Sequence, residues 1–415
     1  MVTKILFLLL LSCAIGQTTL ADDGFVTVKG RNFYLNGKKY FYLGTNYWYG
    51  MNLGAPLAGN LTRLKEELDD LSQLGIKNLR IMGSTQGPND KEKRIVPALE
   101  YDKGKYDEDI FEGLDIFLYE MGKRDMKAVV TLNNFWEWSG GFPQYFEWYR
   151  GNYNLYPAQF YEDELLKEKL DDFIKIIVNR ENTAYKKRDG KTILYKDDPT
   201  IMSWQLANEP RAGPCGAWVD WINKTSTLIK TLAPRQLVSI GNEGTITGCS
   251  EEGNYVENVD YITFHAWAQN WGWYSPSSRN GLSSGISKAH KYISENVNLN
   301  KDRNKPMVLE EFGLARNRNS YDPNSYCDIR DDYYSGVFSK VYSYAKDHSL
   351  MSGVNFWAYG GQGRPRENGG WWKADDDLIG DPPHERQGWY SVYNTDFTTL
   401  EMLRDWVDKF DSLCT

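Results

Sequence analysis

The chain has 415 residues, 41% hydrophobic and 25% charged, a composition typical of a globular protein that forms one large barrel or two average domains. Its net charge of -8 argues against nucleic acid and anionic membranes as partners, because both are negatively charged. The spacing of histidine, cysteine and acidic residues predicts no metal site, and we expect no cofactor.

The first 21 residues have the pattern of a secretory signal peptide. Lys4 precedes a short apolar run and then small residues, which predicts cleavage after Gly16 or Ala21. The run is too short to cross a bilayer, and no later segment is long and apolar enough. We therefore expect a secreted, extracellular protein whose single domain covers residues 22–415.

Four cysteines remain after the predicted cleavage: Cys215, Cys249, Cys327 and Cys414. An even number of cysteines in an oxidising compartment favours two disulfides. Three pairings are open, and the proximity of the predicted loops favours Cys215–Cys249 with Cys327–Cys414. Asn60 and Asn223 begin N-glycosylation motifs, and whether either asparagine carries a glycan stays open.

Strands and helices alternate along the chain after a small N-terminal hairpin at residues 26–28 and 33–35. Eight apolar strands are predicted at residues 42–47, 78–82, 128–133, 201–207, 237–241, 261–265, 307–311 and 353–358. Helices are predicted at 61–74, 109–123, 161–179, 218–232, 282–296, 333–347 and 399–410. Strands that are apolar on both faces are typical of buried parallel sheets. The pattern predicts an α/β fold, a single (β/α)8 TIM barrel with long loops after the strands.

Predicted strands four and seven each lead into a glutamate and then a turn residue. These glutamates are Glu209, before Pro210, and Glu311, before Phe-Gly. Active sites of such barrels form at the C-terminal ends of the strands. Hydrolysis of a glycosidic bond needs one carboxyl group that protonates the leaving oxygen and a second that attacks or shields the anomeric carbon. Because side chains alternate along a strand, we expect only one of Glu310 and Glu311 to face the barrel axis.

Other polar and aromatic residues stand at further strand ends in a fixed order. They are Arg80, Asn133-Asn134 with Trp136 and Gly140-Gly141, Asn208-Glu209-Pro210, His265-Ala-Trp267, Glu311-Phe-Gly and Phe356-Trp357. In this order the motifs resemble the endo-β-1,4-mannanases of glycoside hydrolase family 5, in the clan of retaining barrels. The resemblance extends from about residue 25 to the C-terminus. The segments Trp267-Ala-Gln-Asn-Trp271 and Gly360-Gly-Gln-Gly-Arg364-Pro365 favour the mannanases within that family.

The resemblance implies roles for individual residues. Glu209 would be the general acid/base and Glu311 the nucleophile, with Arg80 as the fixed cation that keeps Glu311 ionised. Asn208 would donate to the 2-hydroxyl group of the sugar, and His265 would fix hydrogen bonds around the two carboxyl groups. The binding residues that it implies also include Asn134, Trp136, Trp271 and Trp357, the last as the floor under the sugar at the cleavage point.

One position departs from the family pattern. Many members have a tyrosine two residues after the histidine, whereas this chain has Trp267 there. An indole N–H donates but neither accepts nor titrates, so we expect a binding role for Trp267 and no acid/base role. Arg364, in the loop after strand eight, is predicted to bind a sugar, with a structural role as the open alternative.

Tryptophans are frequent at and after the predicted strand ends. Those expected to stack on sugar rings are Trp136, Trp138, Trp148, Trp267, Trp271, Trp273 and Trp357. Those expected in the core are Trp204, Trp221 and Trp406. Three histidines, His290, His348 and His384, have no catalytic companions in the sequence, and structural or exposed positions are predicted for them.

The expected function is therefore secreted endo-cleavage of internal β-1,4-mannosidic bonds in mannan, glucomannan or galactomannan, with retention of configuration. The expected partners are β-mannan polysaccharides and oligosaccharides, and the expected state is a monomer. An endo-β-1,4-glucanase on the same scaffold is the first alternative, because the two substrates differ only in the hydroxyl orientation at C2. The second alternative is a non-catalytic carbohydrate-binding barrel.

Overall fold

The structure is a computed structural model that describes residues 23–414 apart from Arg279 and His348. The predicted signal peptide, residues 1–21, lies outside the described residues. The described chain begins with a three-stranded antiparallel sheet, Val26–Lys29, Asn32–Leu35 and Lys38–Tyr40. The predicted hairpin forms its first two strands. The third strand was not predicted, because its two lysines are partly exposed and give it no apolar pattern.

Eight parallel strands form the barrel, and we number them one to eight along the chain. They are Tyr42–Asn46, Asn78–Met82, Lys127–Thr131, Ile201–Gln205, Leu237–Ser239, Ile262–Ala266, Met307–Phe312 and Met351–Phe356. Hydrogen bonding runs from strand five through four, three, two, one, eight and seven to six. Single contacts connect the two ends of this order: Asp260 N donates to Val238 O at 2.8 Å, and His265 N donates to Glu243 O at 3.3 Å. The nearly closed barrel confirms the predicted fold.

Helices connect the strands and cover the outside of the barrel. The helices that follow strands one to eight are Leu61–Gln73, Glu108–Gly122, Glu164–Val178, Cys215–Leu232, Ser250–Asn254, Gly281–Asn300, Asp328–Lys346 and Phe397–Asp411. Three further helices, Gly50–Gly54, Gly141–Arg150 and Thr183–Asp189, lie in the connections. None of the described helices is long and apolar enough to cross a bilayer.

Local sequence sets where these helices begin. The Asp163 side chain accepts hydrogen bonds from Leu165 N and Leu166 N, so helix Glu164–Val178 begins after a capping aspartate. The predicted start at residue 161 was too early, because residues 158–162 form a separate 3₁₀ turn. The small N-terminal sheet packs Val26 and Phe33 against barrel residues such as Tyr261 and closes the N-terminal end of the barrel.

The structure confirms one predicted disulfide, Cys215–Cys249, with the Cα atoms 5.6 Å apart. The predicted Cys327–Cys414 bridge is wrong, because both cysteines are free. Cys414 lies at the N-terminal end of the barrel, where its Sγ accepts from Phe41 N at 3.2 Å. Cys327 precedes the helix after strand seven, at the opposite end. The closing helix Phe397–Asp411 therefore places Cys414 out of reach of Cys327.

Candidate active site

A pocket of about 370 Å³ lies at the C-terminal ends of the barrel strands. It is lined by Trp136, Trp138, Asn208, Glu209, Arg211, Glu243, Trp267, Asn270, Trp271, Glu311, Trp357, Pro382, His384 and Glu385. Both predicted glutamates therefore reach one cavity, although more than a hundred residues separate them along the chain. The parallel strands produce this convergence, because all eight end on the same side of the barrel.

Glu209 follows strand four in a left-handed backbone conformation, with φ of 49°. Trp136 Nε1 donates to Glu209 Oε2 at 2.6 Å, and His265 Nδ1 lies 2.7 Å from Glu209 Oε1. Burial raises the pKa of Glu209, while the Trp136 hydrogen bond and the Arg211 charge oppose this rise. The carboxyl group therefore favours its protonated form more than a free glutamate does.

Glu311 lies near the end of strand seven and forms an ion pair with Arg80. Trp267 Nε1 donates to Glu311 Oε2 at 3.2 Å, and His265 Nδ1 is 3.3 Å from the same oxygen. Burial raises the pKa of Glu311, and the charge of Arg80 acts against this rise. The guanidinium group thus favours an anion at Glu311.

Three atoms that could bind a metal ion, one each from Glu209, His265 and Glu311, lie within 4.8 Å of one another. A carboxylate oxygen of Glu209 is therefore no more than 4.8 Å from one of Glu311. These three side chains could together hold a cation. However, Arg80, Trp136 and Trp267 already donate hydrogen bonds to the carboxylate oxygens of Glu209 and Glu311.

Arg80 connects the strand ends beneath the pocket. Its Nε donates to Gln205 Oε1 at 2.8 Å, and its Nη2 donates to Asn208 Oδ1 at 2.7 Å. Asn208 Nδ2 in turn donates to Asn134 Oδ1 at 3.1 Å. Asn208 lines the pocket, whereas Arg80 and Asn134 are buried beneath it and hold the residues above them in place.

Glu310 shows that the expected strand alternation is wrong at this point. Gln205 Nε2 donates to Glu310 Oε2 at 2.7 Å, and Arg80 Nε lies 3.6 Å from the same oxygen, so this carboxyl group also faces the barrel interior. The cause is an irregularity between strands six and seven. Leu309 pairs with Phe264, but the next pair is His265 with Glu311, which leaves Glu310 as an extra residue. Glu311 lines the pocket, whereas Glu310 does not.

His265 is fully buried, and burial lowers its pKa to about 4. The imidazole is therefore neutral at neutral pH. Its Nε2 has no hydrogen-bond partner among the described residues and lies 4.0 Å from Glu310 Oε2. A neutral ring in contact with both pocket carboxyl groups fixes their positions without adding a charge.

Five of the seven tryptophans predicted to stack on sugars line the pocket: Trp136, Trp138, Trp267, Trp271 and Trp357. The other two do not. Trp148 lies in helix Gly141–Arg150 against Tyr145, and Trp273 packs against Trp271 and Tyr292. The expected core residues Trp204 and Trp221 are buried, and the half-buried Trp406 packs on Phe410.

Arg364 lies outside the lining of the pocket, which favours the structural alternative. Its Nη1 donates to Gly361 O at 3.0 Å, and its Nη2 donates to Asn394 Oδ1 at 2.9 Å. Its guanidinium carbon lies 4.4 Å from the centroid of the Tyr393 ring. These contacts hold the loop after strand eight.

Several pocket residues were missed in the sequence. Arg211 forms a two-point ion pair with Glu243, at 2.7 and 2.9 Å, and stacks over Trp136. His384 and Glu385 line the pocket, and the His384 ring stacks on Trp138. Arg211 could have been predicted to reach the pocket, because it stands two residues after Glu209. The other residues lie in loops that have no periodic pattern.

Comparison with known proteins gives consistent matches. The profile of the family described as GH family 5 beta-mannosidase-like matches residues 23–414. Mannan endo-1,4-beta-mannosidase 7 of Arabidopsis thaliana is 31% identical over 373 residues, which cover 84% of this chain and 80% of that protein.

Two solved structures extend the comparison. The glycoside hydrolase family 5 mannosidase of Rhizomucor miehei, a variant in complex with mannosyl-fructose, is 36% identical with a TM-score of 0.85, over 95% of this chain and 99% of that one. The endo-beta-1,4-mannanase of Thermotoga petrophila is 25% identical with a TM-score of 0.70, over 91% and 78%. The chain therefore belongs to the β-mannosidase-like proteins of glycoside hydrolase family 5.

Proposed function

We propose that the protein hydrolyses internal β-1,4-mannosidic bonds of mannans and manno-oligosaccharides with retention of configuration. The observation that carries this proposal is the close approach of Glu209 and Glu311, with carboxylate oxygens within 4.8 Å in one pocket. Retaining glycosidases hold their two carboxyl groups about 5–5.5 Å apart, whereas inverting enzymes separate them to admit a water molecule.

In the first step the Glu311 carboxylate attacks the anomeric carbon and forms a glycosyl ester. The bond between that carbon and the glycosidic oxygen breaks, and Glu209 gives its proton to the departing oxygen. Burial raises the pKa of both carboxyl groups, so the direction of the shift does not separate them; a raised pKa suits Glu209 to hold the proton that a general acid donates. Arg80 supports the role of Glu311, since its contact favours the ionised nucleophile.

In the second step Glu209, now ionised, takes a proton from water, and the water oxygen attacks the anomeric carbon. The ester bond breaks and Glu311 returns to the carboxylate. Two inversions give net retention. Formation of the ester removes the negative charge of Glu311, which lowers the pKa of Glu209 and suits it to act as a base. Asn208 would bind the 2-hydroxyl group and Trp357 would lie under the reacting sugar, and the position of both residues in the pocket lining supports these roles.

The substrate class rests on the names of the relatives. The Arabidopsis relative is a mannan endo-1,4-beta-mannosidase, and the Rhizomucor structure holds mannosyl-fructose. The aromatic lining of the pocket suits pyranose rings, whose C–H faces stack on indoles. Secretion is part of the proposal, because the Cys215–Cys249 disulfide fits an oxidising compartment and the N-terminal residues have a signal pattern.

A reducing-end assay on soluble mannan, carboxymethyl cellulose and xylan tests the substrate class. We expect new reducing ends from mannan, and a rapid loss of viscosity because internal bonds are cut. The Glu311→Ala variant serves as the inactive control. Equal or greater release from carboxymethyl cellulose would replace this proposal with the glucanase alternative. No release from any of the three polymers would favour a non-catalytic binding barrel.

A further inference from the structure

Gln205, on strand four, is fully buried in the barrel interior and lies outside the pocket lining. The strand register places it between Thr131 on strand three and Ser239 on strand five, so these three side chains form one layer. Layers of branched apolar side chains usually fill the interior of such barrels. Here the layer is polar, and it contacts Arg80.

The Gln205 amide uses all of its hydrogen-bonding positions. Thr131 Oγ1 donates to Gln205 Oε1 at 3.2 Å, and Arg80 Nε donates to the same oxygen at 2.8 Å. Gln205 Nε2 donates to Ser239 Oγ at 3.1 Å and to Glu310 Oε2 at 2.7 Å. An amide has two N–H donors and an oxygen with two lone pairs, so this side chain is fully satisfied. A buried polar group that has all of its partners makes its surroundings rigid.

Packing and polarity leave the amide one orientation. The backbone of Gly241 lies so close that a Cβ atom at that position would come within 2.7 Å of the Gln205 amide carbon. A guanidinium group only donates hydrogen bonds, so the amide oxygen must face Arg80. A continuous chain of contacts therefore runs from strand seven through Gln205 to strand two.

The contact with Gln205 is made at the Nε atom of Arg80, where the guanidinium plane joins the rest of the side chain. A contact at this atom sets the directions in which Nη1 and Nη2 point. Nη1 pairs with Glu311 and donates to Asn46 Oδ1 at 3.0 Å, and Nη2 donates to Asn208 Oδ1 at 2.7 Å. Loss of the Nε contact would therefore move the cation relative to the proposed nucleophile.

We propose that Gln205 is a positioning residue of this site: its amide, held from strands three, five and seven, fixes the Arg80 guanidinium group against Glu311. The inference rests on the proposed function, since it takes Glu311 to be the nucleophile. Gln205 takes no part in the making or breaking of bonds. It controls how strongly the fixed cation favours the ionised form of Glu311.

The ionisation of Glu311 provides a readout that a purely structural role would not change. Burial raises the pKa of Glu311, and the charge of Arg80 lowers it. A displaced Arg80 would lower this pKa less, so the nucleophile would lose its charge at a higher pH. Other titratable side chains near Glu311 are Glu209, His265, Glu310 and Glu385. The variants below leave all of these groups in place.

Gln205→Met tests the role by steady-state kinetics on mannotetraose, because it keeps the length of the side chain and removes its four hydrogen bonds. We expect kcat to fall about 10²-fold, the scale of a small misplacement within a site. KM should stay within about threefold of the wild-type value, since Gln205 does not line the pocket. The acidic limb of the kcat/KM profile should move to higher pH by about one unit, because the pKa of Glu311 rises.

A milder double variant, Thr131→Val with Ser239→Ala, retains Gln205 and removes two of its four hydrogen bonds without changing a charge. It should lower kcat about fivefold and move the acidic limb in the same direction. This variant decides the test if circular dichroism shows that Gln205→Met does not fold. Ser203→Ala is the matched control, because Ser203 is fully buried on the same face of strand four, two positions earlier. Its kcat and acidic limb should match those of the wild-type protein.

An acidic limb that stays at its wild-type pH in both Gln205→Met and the double variant would overturn the inference, even if kcat falls. An equal movement of the limb in Ser203→Ala would overturn it too, because any buried polar residue would then have the same effect. Both outcomes leave the proposed function intact, since the wild-type protein still cleaves mannotetraose. If the wild-type protein neither binds nor cleaves manno-oligosaccharides, the proposed function fails, and the inference fails with it.

Discussion

At the scale of single residues, the proposed nucleophile, Glu311, differs from the adjacent Glu310 in its position relative to the pocket. Glu310 and Glu311 both contact Arg80, but only Glu311 lines the pocket. The Glu310 carboxyl group accepts from Gln205, and burial raises its pKa to about 7. A neutral amide at position 310 preserves that contact, whereas a neutral amide at position 311 cannot attack the anomeric carbon.

We therefore expect Glu311→Gln to lower kcat by at least about 10³-fold, the scale of losing a covalent nucleophile. Glu310→Gln should lower kcat by less than about tenfold, because the hydrogen bond and the packing survive. Steady-state kinetics of both purified variants on mannan gives the comparison, with circular dichroism as the check on folding. If the Glu310 variant were the inactive one, the nucleophile would be Glu310.

A single substitution also tests the proposed role of Glu209 as the general acid. Trp136 donates to Glu209 Oε2 at 2.6 Å, and this bond lowers the pKa of Glu209 against the larger rise caused by burial. Trp136→Phe removes the donor and keeps an aromatic ring beneath Arg211. The pKa of Glu209 should rise, so the acid keeps its proton to higher pH. The alkaline limb of the kcat/KM profile should therefore move to higher pH. A limb that stays in place or moves to lower pH would contradict the assignment.

At the scale of elements, the loops after strands four and five form one wall of the pocket. The Cys215–Cys249 disulfide joins the helix after strand four to the loop after strand five, and Ala212 N donates to Thr247 O at 3.2 Å between the same loops. Arg211 and Glu243, which these loops carry, form the two-point ion pair beside Trp136. The cross-link therefore restrains a part of the site as well as the fold.

Two cysteines are free among the residues that the structure describes, and they determine the number of thiols expected once the predicted signal peptide, which contains Cys13, is removed. Without reduction, a thiol reagent should label two residues of the denatured protein, Cys327 and Cys414, and after reduction four. Replacement of Cys215 and Cys249 together by serine should lower the free energy of unfolding by about 2–4 kcal/mol, since the cross-link restrains the unfolded chain. Mass spectrometry after labelling gives the count. A protein that gains no label before reduction would have two bridges.

Local patterns in the sequence predicted the elements, because each strand is a short apolar run with its own turn signals. The eight strands, most of their helices and the convergence of Glu209 with Glu311 followed from those runs and from the shared direction of parallel strands. The inward position of Glu310 could not be predicted from the strand pattern, because a single irregular pair between strands six and seven interrupts the alternation of side chains. The positions of His384 and Glu385 in the pocket could not be predicted either, because hydrogen bonds inside a loop without a periodic pattern determine them.

At the scale of the whole molecule, buried ion pairs join the loops above the barrel. Arg316 and Arg330 both bind Asp396, at 2.7 and 2.8 Å, and both donate to Cys327 Sγ. This cluster connects the segment after strand seven with the segment after strand eight, which also carries Glu385. No local sequence pattern could have predicted this cluster, because its members are up to 80 residues apart.

The central claim is that Glu209 and Glu311 act by double displacement in one pocket, and the anomeric form of the first product tests it directly. Proton NMR of mannotetraose hydrolysis at high enzyme concentration records the new reducing end before it equilibrates in water. Two successive inversions at the anomeric carbon predict that the β-anomer appears first and the α-anomer grows later. An α-anomer that appears first would show a single inversion and would contradict the account.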